Sequence, residues 1–376
     1  MQLPSCWHKA VMSDSSKSQT GPKSSNPIRV MVVDDSAFMR FTIAQQLNGD
    51  SEIQVIGSAS NGREALQMLP QLQPDVITLD VEMPHMDGLS TLREIMKNYP
   101  RPVIMFSSLT KEGAAETIQA LILGAVDFIP KPDNRLDIRA AMADMGVKIK
   151  VAARAKVKTV APRLLAHAHQ LPSVQPEKRV HAYLKKTPVI LIGSSTGGPS
   201  ALSEIVPALP AGLQSPVVIV QHMPAGFTRS LSERLNSLSP LSVKEAEPGD
   251  MLLTGQVLLA PGGFHLTLDE NEQVALNQKP AVHGVRPAVD VTLNSLIQRF
   301  GTHVVAVILT GMGNDGTHGA SLLHSSGGYV IAEHESTCVV WGMPRSVVEA
   351  GAANAVLPRP QIARAIERAI RDLSIN

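Results

Sequence analysis

The sequence has little cysteine, almost no net charge and no long hydrophobic run, and each shortage excludes a class of protein. The two cysteines, Cys6 and Cys338, lie at opposite ends of the 376 residues. They supply neither a disulfide framework nor a cysteine-based metal site, and they fit a reducing cytosol. Because 34 basic residues balance 33 acidic ones, no global charge favours binding to nucleic acid or to an anionic membrane.

Membrane insertion and export are disfavoured by the same kind of shortage. No apolar run approaches the roughly 20 residues of a membrane helix, and Val304–Leu309 has only the length of a strand. Residues 1–27 lack the apolar core of a signal peptide and are predicted to be a disordered tail. We therefore expect a cytoplasmic protein, and its length and 44% hydrophobic content predict two domains with buried cores.

Strands and helices alternate regularly in two parts of the chain. Residues 28–150 contain five predicted strands and five predicted helices, which indicates a complete doubly wound α/β domain. Residues 151–186 are rich in lysine and arginine and are broken by prolines. We interpret them as a solvated interdomain linker, with a basic binding segment as the alternative. Residues 187–376 alternate again and predict a second α/β domain with a separate core.

Charged and hydroxyl side chains stand where the strands of the first domain end. Asp34 and Asp35 follow the first strand, Asp80 the third, Ser107 the fourth and Lys131 the fifth. Parallel strands bring these ends to one edge of the sheet, where carboxylates without a cation would repel one another. Bound Mg²⁺ is a simpler explanation than a strongly raised pKa. A metal-bound carboxylate beside a lysine and a hydroxyl is suited to accept a phosphoryl group, although an Asp-Asp pair by itself could merely cap a helix.

This edge resembles that of response-regulator receiver domains, over essentially all of residues 28–150. The resemblance implies phosphorylation by a histidine kinase. It also implies a role for each residue: Asp80 as phosphoacceptor; Asp34, Asp35, Asp80 and the Glu82 carbonyl on Mg²⁺; Ser107 and Lys131 on the phosphoryl oxygens; and Phe128 as a switch aromatic.

The second domain opens with Gly-Ser-Ser-Thr-Gly at residues 193–197, directly after a predicted strand. This segment has neither the Gly-x-Gly-x-x-Gly spacing nor the lysine of a phosphate-binding loop. It fits Gly-x-Ser-x-Gly, in which the central serine stands on a tight turn between strand and helix, and this favours Ser195 over Ser194 as a nucleophile. Amide groups at the following helix N-terminus can stabilise an oxyanion. The amides near Thr196 and Met312 are the candidate donors.

A serine nucleophile needs a base at the same edge of the sheet. His222 ends the next strand, and Asp315 follows a later strand in a glycine-rich loop, so the two residues are the candidate base and orienting carboxylate. Asp290 competes with Asp315 but is expected to cap a helix. The remaining histidines of the domain have less well defined positions: His265, His283, His303, His318, His324 and His334. The order Ser195, His222, Asp315 differs from that of α/β-hydrolases, which indicates another doubly wound sheet.

Six segments of this domain are similar to those of chemotaxis protein-glutamate methylesterases: IGSSTGGPSAL, QHMPAGFTRSLSERLN, LLAPGGFH, RPAVDVTL, VILTGMGNDG and WGMPRSVVEAG. Together with the receiver-like part, the resemblance covers nearly all of residues 28–376. It implies two doubly wound parallel-sheet domains, the first flavodoxin-like and the second Rossmann-like. It also implies hydrolysis of glutamyl methyl esters on chemoreceptors, deamidation of glutamines in some members, control by phosphorylation, and no cofactor in the catalytic domain.

Two other functional classes stay open at this point. A response regulator whose output domain binds nucleic acid would need a helix-turn-helix or a basic recognition face, and the second domain shows neither pattern. A phosphoregulated scaffold that keeps the esterase fold without its activity is not excluded by any motif. A serine-directed probe that labels Ser195 would argue against the scaffold.

Overall fold

The structure, a computed structural model, describes residues 26–131, 137–157 and 187–375. The predicted tail before residue 26 and the predicted linker from residue 158 onward lie outside the described residues. Among the residues described, no helix has both the length and the apolar character needed to span a bilayer.

The first domain is a five-stranded parallel sheet in the order β2-β1-β3-β4-β5, covered by helices. The strands read as continuous apolar runs because both faces of such a sheet are buried. They are β1 Ile28–Val33, β2 Ile53–Ala59, β3 Val76–Asp80, β4 Val103–Ser107 and β5 Asp127–Pro130. The helices are α1 Ala37–Leu47, α2 Gly62–Leu72, α3 Gly88–Asn98, α4 Lys111–Ile122 and α5 Asp137–Ala152. The predicted alternation of five strands and five helices is confirmed.

The second domain is a seven-stranded parallel sheet in the order β14-β13-β12-β6-β7-β9-β8, with a separate antiparallel pair β10-β11. Its strands are β6 Val189–Ser194, β7 Val217–Gln221, β8 Ser242–Glu245, β9 Gln256–Leu259, β10 His265–Leu268, β11 Val274–Asn277, β12 Val304–Ile308, β13 Tyr329–Glu333 and β14 Ala355–Leu357. Its helices are α6 Gly198–Ala208, α7 Phe227–Leu238, α8 Val289–Phe300, α9 Thr317–Ser325, α10 Met343–Glu349 and α11 Arg359–Ile375. The second predicted doubly wound sheet is therefore also confirmed.

The strand order of the second sheet reverses at β6. The chain proceeds from β6 outward through β7, and it later returns to the other side of β6 with β12. Gly193 is paired with Val220 on one side and with Ile308 on the other, so the three strands end at one level. Such a switch point leaves a crevice beyond the C-terminal strand ends, where ligands bind in open α/β sheets.

The expectation that each domain has a separate core is wrong. One cluster of buried apolar side chains includes residues of both sheets, because α4 packs against α6 and α7. The rings of Phe128 and Phe227 meet in this contact with their centroids 4.4 Å apart. The two domains therefore share buried apolar surface.

Candidate active site

Ser195 lies on the turn between β6 and α6. Gly197 in this turn has φ 78°, and a Cβ there would lie only 2.6 Å from the Cβ of Val339. Both the backbone and the available space thus require glycine at this position. The amide of Gly198 donates to the Ser195 carbonyl over 2.8 Å and closes the turn. The turn exposes part of Ser195 at the end of a fully buried strand.

The neighbouring serine has a different environment. Ser194 is fully buried, and its hydroxyl donates to Gln221 Oε1 over 2.6 Å. Gln221 in turn donates from Nε2 to the carbonyls of Ser195 and His222, over 2.9 Å and 3.1 Å. Ser194 therefore links β6 to β7, whereas Ser195 is the serine of this turn that borders a cavity.

His222 and Asp315 form a buried hydrogen-bonded pair. His222 Nε2 lies 2.7 Å from Asp315 Oδ2, and the two side chains are only 8% and 2% exposed. This bond leaves Nδ1 as the ring nitrogen that can accept a proton. The structure contains no hydrogen bond between the described side chains of Ser195 and His222, although both residues border the same cavity.

Asp315 is held by the N-terminus of α8. Its carboxylate accepts the amides of Val289 and Asp290 over 2.6 Å and 3.0 Å. Burial raises the pKa of Asp315, but the hydrogen bonds from His222 and from these two amides lower it by more. The net pKa lies below its ordinary value, so Asp315 stays ionised and can stabilise a protonated His222.

Asp290 begins α8 as expected, but the expectation that it caps this helix is wrong. The N-cap residue is Ala288, and the buried Asp290 carboxylate instead accepts the amide of Gly319 in α9 over 2.8 Å. Its other oxygen lies 3.1 Å from His283 Nε2. The turn of the chain at the start of α8 aims Asp290 at the next helix, so Asp315, not Asp290, contacts His222.

The loop after β12 packs directly on the Ser195 turn. A Cβ on Gly311 would lie 2.7 Å from the Cβ of Ser195, so only glycine allows this approach. Within the described residues, the amides of Thr196 and Met312 have no hydrogen-bond acceptor. Two amide donors without an acceptor thus lie in the two loops that meet at Ser195, one after β6 and one after β12.

A cavity of about 510 Å³ covers these residues and has walls from both domains. The first domain contributes Asp127, Phe128 and Lys148, among others. Asp127 Oδ2 accepts the hydroxyl of Thr196 over 2.6 Å, directly beside Ser195. The sequence motifs of either domain did not indicate this wall, since it depends on how the two domains pack.

The charged residues at the strand ends of the first domain also lie close together. One carboxylate oxygen from each of Asp34, Asp35 and Asp80 lies within 4.8 Å of the others, and Lys131 Nζ lies 2.7 Å from Asp80 Oδ2. The amide of Glu82 donates to Asp80 Oδ1 over 3.3 Å. Asp34 Oδ2 is buried without a partner among the described residues. Clustered oxygen donors with one unsatisfied buried carboxylate oxygen fit Mg²⁺.

Burial raises the pKa of Asp80 to about 6, and the nearby Asp34 carboxylate adds to the rise. The hydrogen bond and the charge of Lys131 act in the opposite direction but do not outweigh burial. Asp80 is thus poised to change its protonation state near neutral pH in the absence of a metal ion.

Ser107 and Phe128 have their main contacts away from the Asp80 carboxylate. The Ser107 hydroxyl donates to the Gly113 carbonyl over 3.1 Å and accepts from Thr117 over 2.6 Å, both in α4. The Phe128 ring packs against Phe227 of the second domain. The structure therefore brings together Asp34, Asp35, Asp80 and Lys131, while Ser107 binds α4 and Phe128 lies at the domain interface.

Each domain matches a known protein family. Residues 190–366 match the CheB methylesterase family, and residues 30–143 match the response regulator receiver domain family. A protein of Symbiobacterium thermophilum named protein-glutamate methylesterase/protein-glutamine glutaminase is 51% identical, over 92% of this chain and 97% of that protein. A Pseudomonas aeruginosa protein of the same name, number 2, is 48% identical over 90% of this chain and 96% of that protein.

Among solved structures, the catalytic domain of Thermotoga maritima CheB methylesterase is similar. It has 49% sequence identity and a TM-score of 0.47, and the match covers 49% of this chain and 98% of that one.

Proposed function

The chain belongs to the CheB methylesterase family, and we propose that it is a cytoplasmic, phosphorylation-controlled protein-glutamate methylesterase that acts on chemoreceptors. Its proposed triad is Ser195, His222 and Asp315. The observation that supports this most directly is the buried His222–Asp315 pair, which borders the same cavity as the partly exposed Ser195.

The proposed reaction is an acyl transfer. Ser195 Oγ attacks the ester carbonyl while His222 Nδ1 takes its proton, and Asp315 stabilises the charged imidazole through Nε2. The missing Ser195–His222 hydrogen bond then has to form when substrate is bound, since catalytic hydrogen bonds often tighten only in the complex. The amides of Thr196 and Met312 would meet the oxyanion. His222 returns the proton to the leaving methanol, and water then hydrolyses the acyl-serine to glutamate.

The same steps would deamidate a glutamine, with ammonia as the leaving group in place of methanol. His222 would protonate the departing nitrogen, and the acyl-serine formed would be identical to that from the ester. A single site can thus yield glutamate from either side chain.

Control by phosphorylation would start at Asp80. We propose that Asp34, Asp35, Asp80 and the Glu82 carbonyl hold Mg²⁺, which when bound neutralises charge on phosphoryl oxygens. A histidine kinase would supply the phosphoryl group, Lys131 would pair with its oxygens, and the Ser107 hydroxyl would have to leave its α4 partners to do so.

The first domain walls the cavity over Ser195, and this supports occlusion as the means of control. Asp127 binds Thr196, and Phe128 packs on Phe227, so a change around Phe128 would act on the contact that restricts access. Phosphorylation would loosen this packing and admit the receptor helix.

Methanol release from methylated receptor membranes tests the proposed activity. Ser195→Ala should lower kcat by at least about 10³-fold, because it removes the nucleophile. Ser194→Ala is the matched control, and it should keep activity within an order of magnitude because Ser194 does not border the cavity and reaches the site only through Gln221.

A wild-type protein that neither releases methanol nor reacts with a fluorophosphonate at Ser195 would be the phosphoregulated scaffold instead. Equal losses in the two serine variants would contradict the assignment of Ser195.

A further inference from the structure

We propose that a buried ion pair between Glu333 and Arg359 positions the Ser195 turn relative to the loop after β12, which makes Glu333 a positioning residue for acyl transfer. This inference rests on the proposed esterase function. Glu333 ends β13 and Arg359 begins α11. Neither residue borders the cavity.

Glu333 uses both carboxylate oxygens and is fully buried. Oε2 accepts the amide of Thr310 over 2.9 Å, and Oε1 accepts Nε of Arg359 over 3.1 Å. A buried carboxylate with one bond to a backbone amide and one to a guanidinium fixes both groups, because neither can move without leaving a charge unpaired.

Thr310 connects Glu333 to the Ser195 turn through hydrogen bonds. Its carbonyl accepts the Ser195 amide over 3.0 Å, and its hydroxyl donates to the Thr196 carbonyl over 3.0 Å. The same hydroxyl accepts the amide of Val340 over 3.0 Å. Thr310 lies two residues before Met312, so it connects the two candidate oxyanion donors.

Arg359 connects Glu333 to the helix that follows the Ser195 turn. Its Nη1 donates to Glu204 Oε1 over 2.9 Å, and its Nη2 donates to the Thr337 carbonyl over 2.7 Å. Glu204 lies in α6, the helix that begins directly after the Ser195 turn. The contacts therefore form a closed ring from Thr310 through the turn, α6, Glu204, Arg359 and Glu333 back to Thr310.

A buried ion pair is weak evidence of added stability. Burying two charges is expensive, and a well-packed apolar pair would hold the same elements at least as well. What hydrogen-bonded charges add is a fixed geometry. An oxyanion site whose two amides come from different strands depends on their separation, and a displacement of about 1 Å can cost roughly 100-fold in rate.

The test is kcat and KM for methanol release by the full chain, with unfolding temperatures measured in parallel. Glu333→Met keeps the volume but loses the acceptor for the Thr310 amide, and it should lower kcat by roughly 10-fold or more with KM unchanged. Glu333→Gln keeps one acceptor oxygen for the Thr310 amide but places an NH2 group against Arg359, so its kcat should lie between those of Glu333→Met and wild type. Ile366→Ala, a buried α11 residue outside the ring, should lower the unfolding temperature and leave kcat unchanged.

The proposal would be overturned if folded Glu333→Met had the kcat of wild type. It would also be overturned if Glu333→Gln lost as much kcat as Glu333→Met. If Glu333→Met does not fold, Arg359→Lys decides instead, because lysine keeps a charge beside Glu333 but lacks the guanidinium that also reaches Glu204 and Thr337. A lower kcat at unchanged KM supports the ring, and an unchanged kcat refutes it. Fluorophosphonate labelling of Ser195 is measured on the same proteins. A wild type that is labelled but releases no methanol would end the proposed function, while the labelling rates would still decide the role of Glu333.

Discussion

Two buried aspartates of this protein have pKa values shifted in opposite directions. At Asp315, hydrogen bonds from His222 and from two helix amides outweigh burial, and the pKa falls. At Asp80, burial outweighs Lys131, and the pKa rises to about 6. The first environment suits a permanently charged partner of a base, and the second suits a carboxylate that is to be neutralised by a metal ion or modified.

The raised pKa of Asp80 has a consequence for stability. Its folded value of about 6 exceeds the ordinary 3.8, so the folded state binds more protons in this window and stability falls as pH rises through it. Asp80→Asn avoids the cost of ionising a buried carboxylate, so above pH 6 it should raise the free energy of unfolding by at most about 3 kcal/mol. We expect its unfolding temperature to exceed that of wild type at pH 8 in metal-free buffer, with a smaller gain at pH 4.5.

Thermal unfolding of the full chain at the two pH values measures this difference. Glu112→Gln, a substitution of an exposed carboxylate in the same domain, serves as the control and should show no pH-dependent gain. A gain for Asp80→Asn that is equal at both pH values would contradict the raised pKa.

At the scale of elements, the long alternating segments could be predicted and the short ones could not. The strand-sized run Val304–Leu309 coincides with β12 to within one residue, and the strands predicted to end beside Ser195 and at His222 end within one or two residues of those positions. The sequence pattern does not predict β8, the β10-β11 pair, α10 or β14. These elements have seven residues or fewer, and pairing with neighbours stabilises them more than their own pattern does.

Some residues of the candidate site could be predicted from the sequence, whereas the contacts that hold them could not. Ser195, His222 and Asp315 follow strands, so the parallel-sheet rule brings them to one edge. The contacts of Thr310, Glu333 and Arg359 depend on how distant segments pack, and no local pattern indicates them. Neither does any pattern indicate that Asp127 of the first domain binds Thr196 of the second.

The contact of α4 and β5 with α7 gives a prediction for control. Phe227→Ala removes the ring that packs on Phe128 and weakens the closed arrangement of the domains. Basal methanol release should rise several-fold, and its further stimulation by acetyl phosphate should shrink. Phe300→Ala, a partly buried phenylalanine in the other apolar cluster of the second domain, should change neither. Unchanged basal release by folded Phe227→Ala would argue against restriction at this contact.

At the scale of the whole molecule, a shared apolar core joins the proposed phosphoryl-acceptor domain to the methylesterase domain. The proposed phosphorylation site and the Ser195 cavity lie at strand ends of different sheets, and α4 and β5 connect the first sheet to the second domain. Control then requires that a change at Asp80 alters this packing, because the first domain supplies a wall of the cavity.

Methanol release by wild type and Asp80→Asn, each with and without acetyl phosphate and Mg²⁺, tests this coupling most directly. We predict that acetyl phosphate stimulates wild type several-fold, and that Asp80→Asn keeps the basal rate but shows no stimulation. Equal stimulation of both proteins would contradict the account. So would an unstimulated wild type that mass spectrometry shows to carry the phosphoryl group.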